Sequence, residues 1–204
     1  MTTATAEHLE AAKGVLLYLK HTGNRGLTFK ACCPEDFKLK AFVDADWCGH
    51  SSTSRSTTGY VCLLGGAAVS WKSRLQSSTA LSTMEAEYMA LTACLQDVVY
   101  LRELLGELGQ HQSEPTWIGE DNEACRSLVE NPSISDRSKH IRLRYHYNRE
   151  RVRDGTCYIQ HVSTREQRGD LFTKALDLSK HTYLSSQIMG FSVSGGDGDN
   201  PPKP

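Results

Sequence analysis

Apolar residues recur every three or four positions between residues 7 and 20, where Leu9, Ala12, Leu16 and Leu19 form one stripe. That spacing predicts a helix. The polar run 21–26 ends it, a strand-like 27–29 follows, and Pro34, Glu35 and Asp36 make a second break, so the compact part is expected to start near Phe37. Residues 39–43 read as a strand that closes at Asp44, and a Ser/Thr-rich loop runs from 49 to 58. Residues 59–64 and 67–71 read as two strands joined by Gly65 and Gly66, because a two-residue hairpin turn needs positive φ. The longest helical pattern is 81–108, with Leu81, Met84, Tyr88, Leu91, Leu95 and Val98 on one face and Gly109 at its C-cap. Next come a fourth strand at 116–119, a short helix at 122–130 stopped by Asn131 and Pro132, and a basic helix at 137–153 stopped by Gly155. A fifth strand at 157–162 and a final helix at 167–189 complete the pattern. Residues 192–204 are rich in Gly, Asp and Pro, which predicts a disordered tail.

Three consecutive strands followed by strand–helix alternation imply an α/β chain of the mixed (α+β) kind: a five-stranded mixed sheet flanked by helices. The 204 residues suffice for one domain plus an attached fragment, and 39% hydrophobic residues can build a core. No run approaches the roughly 18 apolar residues of a membrane span. The start of the chain lacks the apolar core of a secretory signal, so the seven cysteines are expected to be reduced thiols of an intracellular protein. Cys32 and Cys33 are adjacent and no C-x-x-C pair occurs, which disfavours a structural zinc site.

The net charge of −1 conceals two poles: residues 82–130 carry −8 and residues 137–153 carry +6. Two solvated helix faces would produce this. So would a cation-attracting acidic pole beside a phosphate-attracting basic one.

The acids give the sharper signal. Asp44 and Asp121 close the first and fourth predicted strands, and Asp170 opens the last helix. If the two strands are neighbours, Asp44 and Asp121 lie side by side, and Glu85 or Glu87 of the long helix can join them. Such carboxylates repel one another unless cations neutralise them, and oxygen ligands suit Mg²⁺ or Mn²⁺. Two such ions can activate water and stabilise a leaving oxygen in phosphodiester cleavage. Taken one at a time, each Asp could instead merely terminate an element.

Eight short motifs occur in order: Asp44-Ala-Asp-Trp47, Arg55-Ser-Thr-Thr-Gly-Tyr-Val61, Val69-Ser-Trp-Lys-Ser73, Leu81-Ser-Thr-Met-Glu-Ala-Glu-Tyr-Met-Ala90, Asp121-Asn122, Lys139-His-Ile141, Arg144-Tyr-His146 and Asp170-Leu-Phe-Thr-Lys174. Together they resemble the ribonuclease H domain of Ty1/copia-type retrotransposon polyproteins, over about residues 39–189. Residues 8–29 resemble the end of the reverse transcriptase part of the same polyprotein. The resemblance implies three segments: 1–38 as a reverse transcriptase remnant, 39–190 as the ribonuclease H-like domain, and 191–204 as the tail.

It also implies a function: a metal-dependent endoribonuclease that hydrolyses the RNA strand of RNA:DNA hybrids, leaving a 3′-hydroxyl and a 5′-phosphate. Asp44, Glu87, Asp121 and Asp170 are the implied catalytic and metal-binding set, holding Mg²⁺ or Mn²⁺ as two ions. Glu87 is preferred to Glu85 on the motif, since periodicity barely separates them. Residues 163–167 contain no histidine where bacterial relatives carry one, and His161 is the nearby alternative.

A hybrid can be sensed without base reading, by its groove shape and 2′-hydroxyls. Thr57, Thr58, Lys72, Gln76 and Ser82 are candidates for that contact, as are Lys139, Arg142 and Arg144 of the basic helix. Ser82 can equally cap a helix. Trp47 and Trp71 are expected in the core, although stacking on sugars is open to them. The implied partners are the hybrid and the reverse transcriptase portion of the polyprotein, with no membrane. A catalytically inactive nucleic-acid-binding module of the same fold is the alternative. An integrase-type nuclease is disfavoured, because here the Glu precedes two Asp.

Overall fold

The computed structural model describes residues 4–29, 37–50, 53–130 and 142–190. The expected tail, the break at residues 34–36, the stop at Asn131 and Pro132, the adjacent pair Cys32 and Cys33, and Lys139 lie outside the described residues, as does the side chain of Arg142.

Helix α1 (Ala6–Thr22) is capped by Thr5, with its hydroxyl accepting from the His8 N–H and the His8 ring accepting from the Thr5 N–H. The helix buries none of its residues, and Leu9, Val15, Leu16, Leu17 and Leu19 face outward. The chain after α1 is tied back through the Thr28 N–H, which donates to the Met189 carbonyl. Residues 27–29 form no strand.

The sheet has five strands in the order β3-β2-β1-β4-β5. Its first three, β1 (Lys40–His50), β2 (Arg55–Leu64) and β3 (Ala67–Leu75), form an antiparallel meander. Gly65 and Gly66 turn β2 into β3 with φ of 58° and 83°, as the sequence required. Strands β4 (Thr116–Glu120) and β5 (Cys157–His161) add in parallel on the other side of β1.

Asp44 does not end its strand: β1 continues to His50, paired only with β2. What ends near Asp44 is the pairing with β4, whose last register partners are Phe42 and Gly119. Beyond that point the two parallel strands part and leave a slot.

Helix α2 (Thr83–Glu107) covers one face of the sheet. Ser82 caps it, with its hydroxyl accepting from the Glu85 N–H. The buried surface differs from the expected stripe. Leu81 is exposed, whereas every residue from 85 to 92 is buried. The first turns are enclosed by the sheet on one side and by α4 (Arg142–Arg153) on the other, where Tyr88 stacks on Tyr145 and donates to the Tyr145 carbonyl. The short α3 (Glu123–Glu130) begins at Asn122, whose side chain accepts from the Cys125 N–H. The larger core holds Ala41, Val43, Tyr60, Cys62, Tyr88, Leu91, Leu95 and Ile118. A smaller cluster of Phe42, Val61, Leu63 and Ala68 lies on the opposite face.

The expected last helix is broken in two. A 3₁₀ turn at Arg168–Phe172 carries Asp170, and α5 (Leu178–Met189) starts afresh with Asp177 as its cap. The turn is pressed against β1 and β2. A Cβ on Gly169 would lie 2.8 Å from both Asp44 Cβ and Asp44 N, and one on Gly59 would lie 2.5 Å from Thr173. Trp47 and Trp71 are 44% and 55% exposed, which corrects the expectation of core tryptophans. Trp71 lies on edge strand β3. The Trp47 indole N–H donates to the Ala80 carbonyl at 3.1 Å, so a polar anchor holds it at the rim. Described cysteines 48, 62, 94, 125 and 157 are free thiols. No described helix is long and apolar enough to cross a membrane.

Seating the turn on bare backbone makes a stability prediction. Gly169→Ala is expected to lose about 1–3 kcal/mol in urea denaturation through overpacking. Gly14→Ala, in the open middle of α1, should be neutral or gain up to about 1 kcal/mol. Equal stabilities for the two variants would mean that the turn is not packed on β1.

Candidate active site

The slot between β1 and β4 gathers carboxylates from both faces of the sheet. Alternation along β1 puts Asp44 on the face of Phe42, next to the 3₁₀ turn. Glu87 arrives from α2 on the other face, and Asp121 follows directly on β4. One oxygen from each of Asp44, Glu87 and Asp121 lies within 4.8 Å of the others. Asp44 and Glu87 are buried, and Asp121 is half-buried with Oδ2 accepting from the Thr164 hydroxyl at 3.0 Å.

Gln167 holds the slot open. It is fully buried, and its amide donates to the Val43 carbonyl at 2.8 Å and lies 3.5 Å from the Gly119 carbonyl. These are backbone acceptors that strand pairing would have used had β1 and β4 stayed together. Its own oxygen accepts from the Gly169 N–H at 3.1 Å, which starts the 3₁₀ turn. The Thr173 hydroxyl then donates to Asp44 Oδ2.

Crowding and burial act on the acids in the same direction. Burial is the main cause that pushes Asp44 up to about 6, against the Thr173 hydrogen bond and the Lys174 charge, with Asp170 adding to the rise. Burial, then the charges of Glu120, Asp44 and Asp121, push Glu87 up to about 11. Glu120, fully buried behind Asp121, is pushed up to about 8 by burial, despite accepting from the Asn122 N–H at 3.0 Å.

Glu87 Oε2 is buried and has no hydrogen-bond partner among the described residues. An unpartnered buried carboxylate oxygen, facing two further carboxylates, fits a hard divalent cation and otherwise takes up a proton.

The other predicted site residues are distributed as follows. Glu85 turns back on its own helix, where Oε2 accepts from the Leu81 N–H at 2.8 Å, and stands outside the three-carboxylate group. Asp170 is fully buried beside Asp44 but is held by two ammonium groups: Lys174 at 2.7 Å, and Lys180. His161 is exposed at the end of β5, in register with Glu120.

Thr58, Lys72, Gln76 and Arg144 line a common cleft of about 310 Å³ with Arg74 and Ser77, while Thr57 is half-buried on β2. Gln76 is itself buried, and its amide donates to Thr58 Oγ1 at 3.1 Å and the Ala86 carbonyl at 2.9 Å. It therefore braces the cleft against α2, a use its exposed-looking sequence context did not suggest. Ser82 serves as the α2 cap.

Within the basic helix, Arg151 pairs with Glu150 at 3.2 Å and Asp154 at 3.0 Å, and Arg149 donates to the Tyr145 hydroxyl at 3.0 Å. Part of the basic run thus holds the fold, and Arg144 faces the cleft. Gln167, Thr173, Lys174 and Lys180 were not among the sequence candidates. Thr173 and Lys174 sit in the last motif, and Asp177 is a readable N-cap that positions Lys180. Gln167 gave no sequence signal.

No family model matches the chain. The described fold is ribonuclease H-like. The structure of LC11-RNase H1 in complex with an RNA/DNA hybrid superposes with a TM-score of 0.50, over 67% of this chain and 94% of that one, at 13% identity.

In sequence the chain is homologous to retrovirus-related Pol polyproteins of copia-like transposons. It is 39% identical over 184 residues, 90% of its length, to that of transposon TNT 1-94 of Nicotiana tabacum. It is 36% identical over 188 residues, 92% of its length, to that of transposon RE1 of Arabidopsis thaliana. The chain spans only 14% and 13% of those two polyproteins.

The raised carboxylates have a measurable consequence. A carboxyl whose pKa is higher in the folded than in the unfolded state binds its proton more tightly when folded. Its contribution is complete below the unfolded value and is lost as pH rises through the folded one. In EDTA, the melting temperature is therefore expected to fall between about pH 5 and pH 9 as Asp44 and Glu120 ionise. Asp44→Asn should melt at or above the parent in EDTA. A parent curve that rises over this range, or a clear drop for Asp44→Asn, would show that the acids are not crowded.

Proposed function

We propose that this protein is a divalent-metal-dependent ribonuclease of the ribonuclease H kind, hydrolysing the RNA strand of RNA:DNA hybrids. The observation that carries the reading is the meeting of Asp44, Glu87 and Asp121 within 4.8 Å, with a buried Glu87 oxygen that has no hydrogen-bond partner among the described residues. Asp44, Glu87 and Asp121 would hold the cation. A Mg²⁺ or Mn²⁺ ion, when bound, supplies a water of lowered pKa and positive charge for the leaving oxygen.

The protein's part is to fix the ligands and admit the phosphate. Gln167 bridges β1 and β4 where their pairing ends, with Asp44 on β1 and Asp121 directly after β4. The Thr173 hydroxyl fixes Asp44 Oδ2 and so orients the carboxylate. Glu85 caps the start of α2, and the helix presents Glu87 two residues on.

The hybrid reading also draws on the LC11-RNase H1 structure, which was solved with an RNA/DNA hybrid, and on a cleft lined by cations. Lys72, Arg74 and Arg144 bring three cations to that cleft, and Thr58 brings a hydroxyl. Such groups neutralise phosphates and sense 2′-hydroxyls without reading bases. Exposed Trp47 and Trp71 add apolar surface for sugar contacts.

Cleavage of an end-labelled hybrid in Mg²⁺, abolished by EDTA, is the direct test, with DNA duplex of the same sequence as the control. Glu87→Gln is expected to lose cleavage by at least about a hundredfold, while Glu85→Gln keeps most of it, because glutamine still accepts from Leu81. The reverse result would move the metal site to Glu85.

Replacing Lys72, Arg74 and Arg144 together with Gln should weaken hybrid binding equally for all sequences. It should lower the salt slope by about one unit per lost contact. An unchanged slope would place the hybrid track elsewhere.

A further inference from the structure

The sheet carries a second surface that the carboxylate slot does not use. Ala41, Val43, Ile118 and Ile159 belong to the larger core under α2, so alternation turns Lys40, Phe42, Trp117, Tyr158 and Gln160 to the opposite face. On that face α5 packs against β3, and toward β5 the surface opens: Trp117 is half-buried, and Tyr158 is 46% exposed.

The side chains of this surface are aligned. Lys40, Trp117 and Tyr158 are register partners across β1, β4 and β5, and Phe42, Gly119 and Gln160 form the next row. Gly119 lets the indole lean over the sheet, because a Cβ there would lie 2.6 Å from the Trp117 ring. The indole N–H donates to Gln160 Oε1 at 2.6 Å, and the ring meets Phe42 edge-on with centroids 4.9 Å apart, so its orientation is fixed. Beside it the Arg168 guanidinium carbon lies 4.4 Å from the Phe42 ring centroid.

A cleft of about 440 Å³ lies over these rows, and its walls bring three cations, Lys38, Lys40 and Arg168, against one carboxylate, Glu114. Lys38 pairs with Glu114 at 2.8 Å, and Arg168 donates to the neutral Gln187 side chain at 3.3 Å. Lys40 has no ion-pair partner among the described residues. The charge left over suits a polyanion. Aromatic rings set beside such cations suit bases on a phosphate backbone, since every base has a face that stacks. Paired bases are already stacked inside a duplex, so an unpaired strand is the form that fits.

We propose that this face binds a single nucleic-acid strand without base preference, with bases stacking on Tyr158 and Trp117 and phosphates held by Lys40 and Arg168. The site does not depend on the cleavage reading. Lys40 precedes Asp44 by four residues on β1, roughly 13 Å along the strand.

Binding is read in EDTA by the fluorescence anisotropy of a short labelled oligouridylate, with the full chain and three variants of exposed side chains, each checked for folding by its circular-dichroism melt. Tyr158→Ala is expected to weaken binding about tenfold, and Tyr158→Phe to keep it. Lys40→Gln should lower the salt slope by about 0.7. Hybrid cleavage should be the same in Tyr158→Ala as in the parent, and an excess of blunt-ended hybrid should not displace the oligouridylate.

No binding of the oligouridylate, equal affinities of the parent and Tyr158→Ala, or displacement by the hybrid would each overturn the proposal. So would a parent dimer in sedimentation that Tyr158→Ala dissociates, because the face would then belong to a second copy of the chain. Oligouridylate binding that follows the expected pattern in a chain that cleaves no hybrid would support this site and overturn the ribonuclease reading alone.

Discussion

The burial of several carboxylates, sharpened by their mutual repulsion, is the constraint to which the rest of this structure answers. Asp44, Glu87, Asp121, Asp170 and Glu120 converge where water is scarce, and like charges at such separations are tolerated only with compensation. The compensation is specific to each acid. Asp44 receives the Thr173 hydroxyl, Asp170 receives two lysines, Asp121 receives Thr164, and Glu120 receives a backbone N–H. Glu87 keeps an oxygen that no described protein group satisfies. Glu120 Oε2 and Asp170 Oδ1 are likewise buried without a hydrogen-bond partner among the described residues, and the fold is arranged around this deficit. The strands part to make room for it, glutamine replaces the lost backbone pairing, and glycines let the 3₁₀ turn settle against Asp44.

Much of this was legible in the sequence, for physical reasons. Gly65 and Gly66 announce a turn because few other residues adopt positive φ twice in succession. The period of α2 is strong because a 25-residue helix against a sheet repeats its pattern many times. Glu87 was distinguished from Glu85 by motif and not by period. The geometry explains why period was a weak guide: α2 is enclosed on nearly all sides at that level, so both glutamates are buried.

What could not be read depended on partners distant in sequence. The turn that carries Asp170 is seated by Gly169 against the backbone of Asp44, which no local window contains. Gln76 looks like a surface residue until Thr58 and Ala86 are seen to close on it. Trp47 and Trp71 look like core because their side chains are large, yet one sits at a rim and one on an edge strand. The basic helix left two readings open in the sequence, a phosphate-facing surface and a solvated face. Its arginines divide instead between the cleft and pairs with Glu150, Asp154 and Tyr145.

The contact between Thr173 and Asp44 closes a span of 129 residues, and that between Gln167 and Val43 one of 124. Closing a loop of that size costs about 4 kcal/mol of chain entropy by the logarithmic rule. Neither hydrogen bond can meet such a cost alone, so both must wait until the meander, α2 and the parallel strands have formed. The β2–β3 hairpin can assemble early from neighbours in sequence, but the slot cannot. The carboxylates carried by β1, α2 and β4 therefore meet first, and the segment 167–180, the last to dock, brings the hydroxyl and lysines that settle their charge.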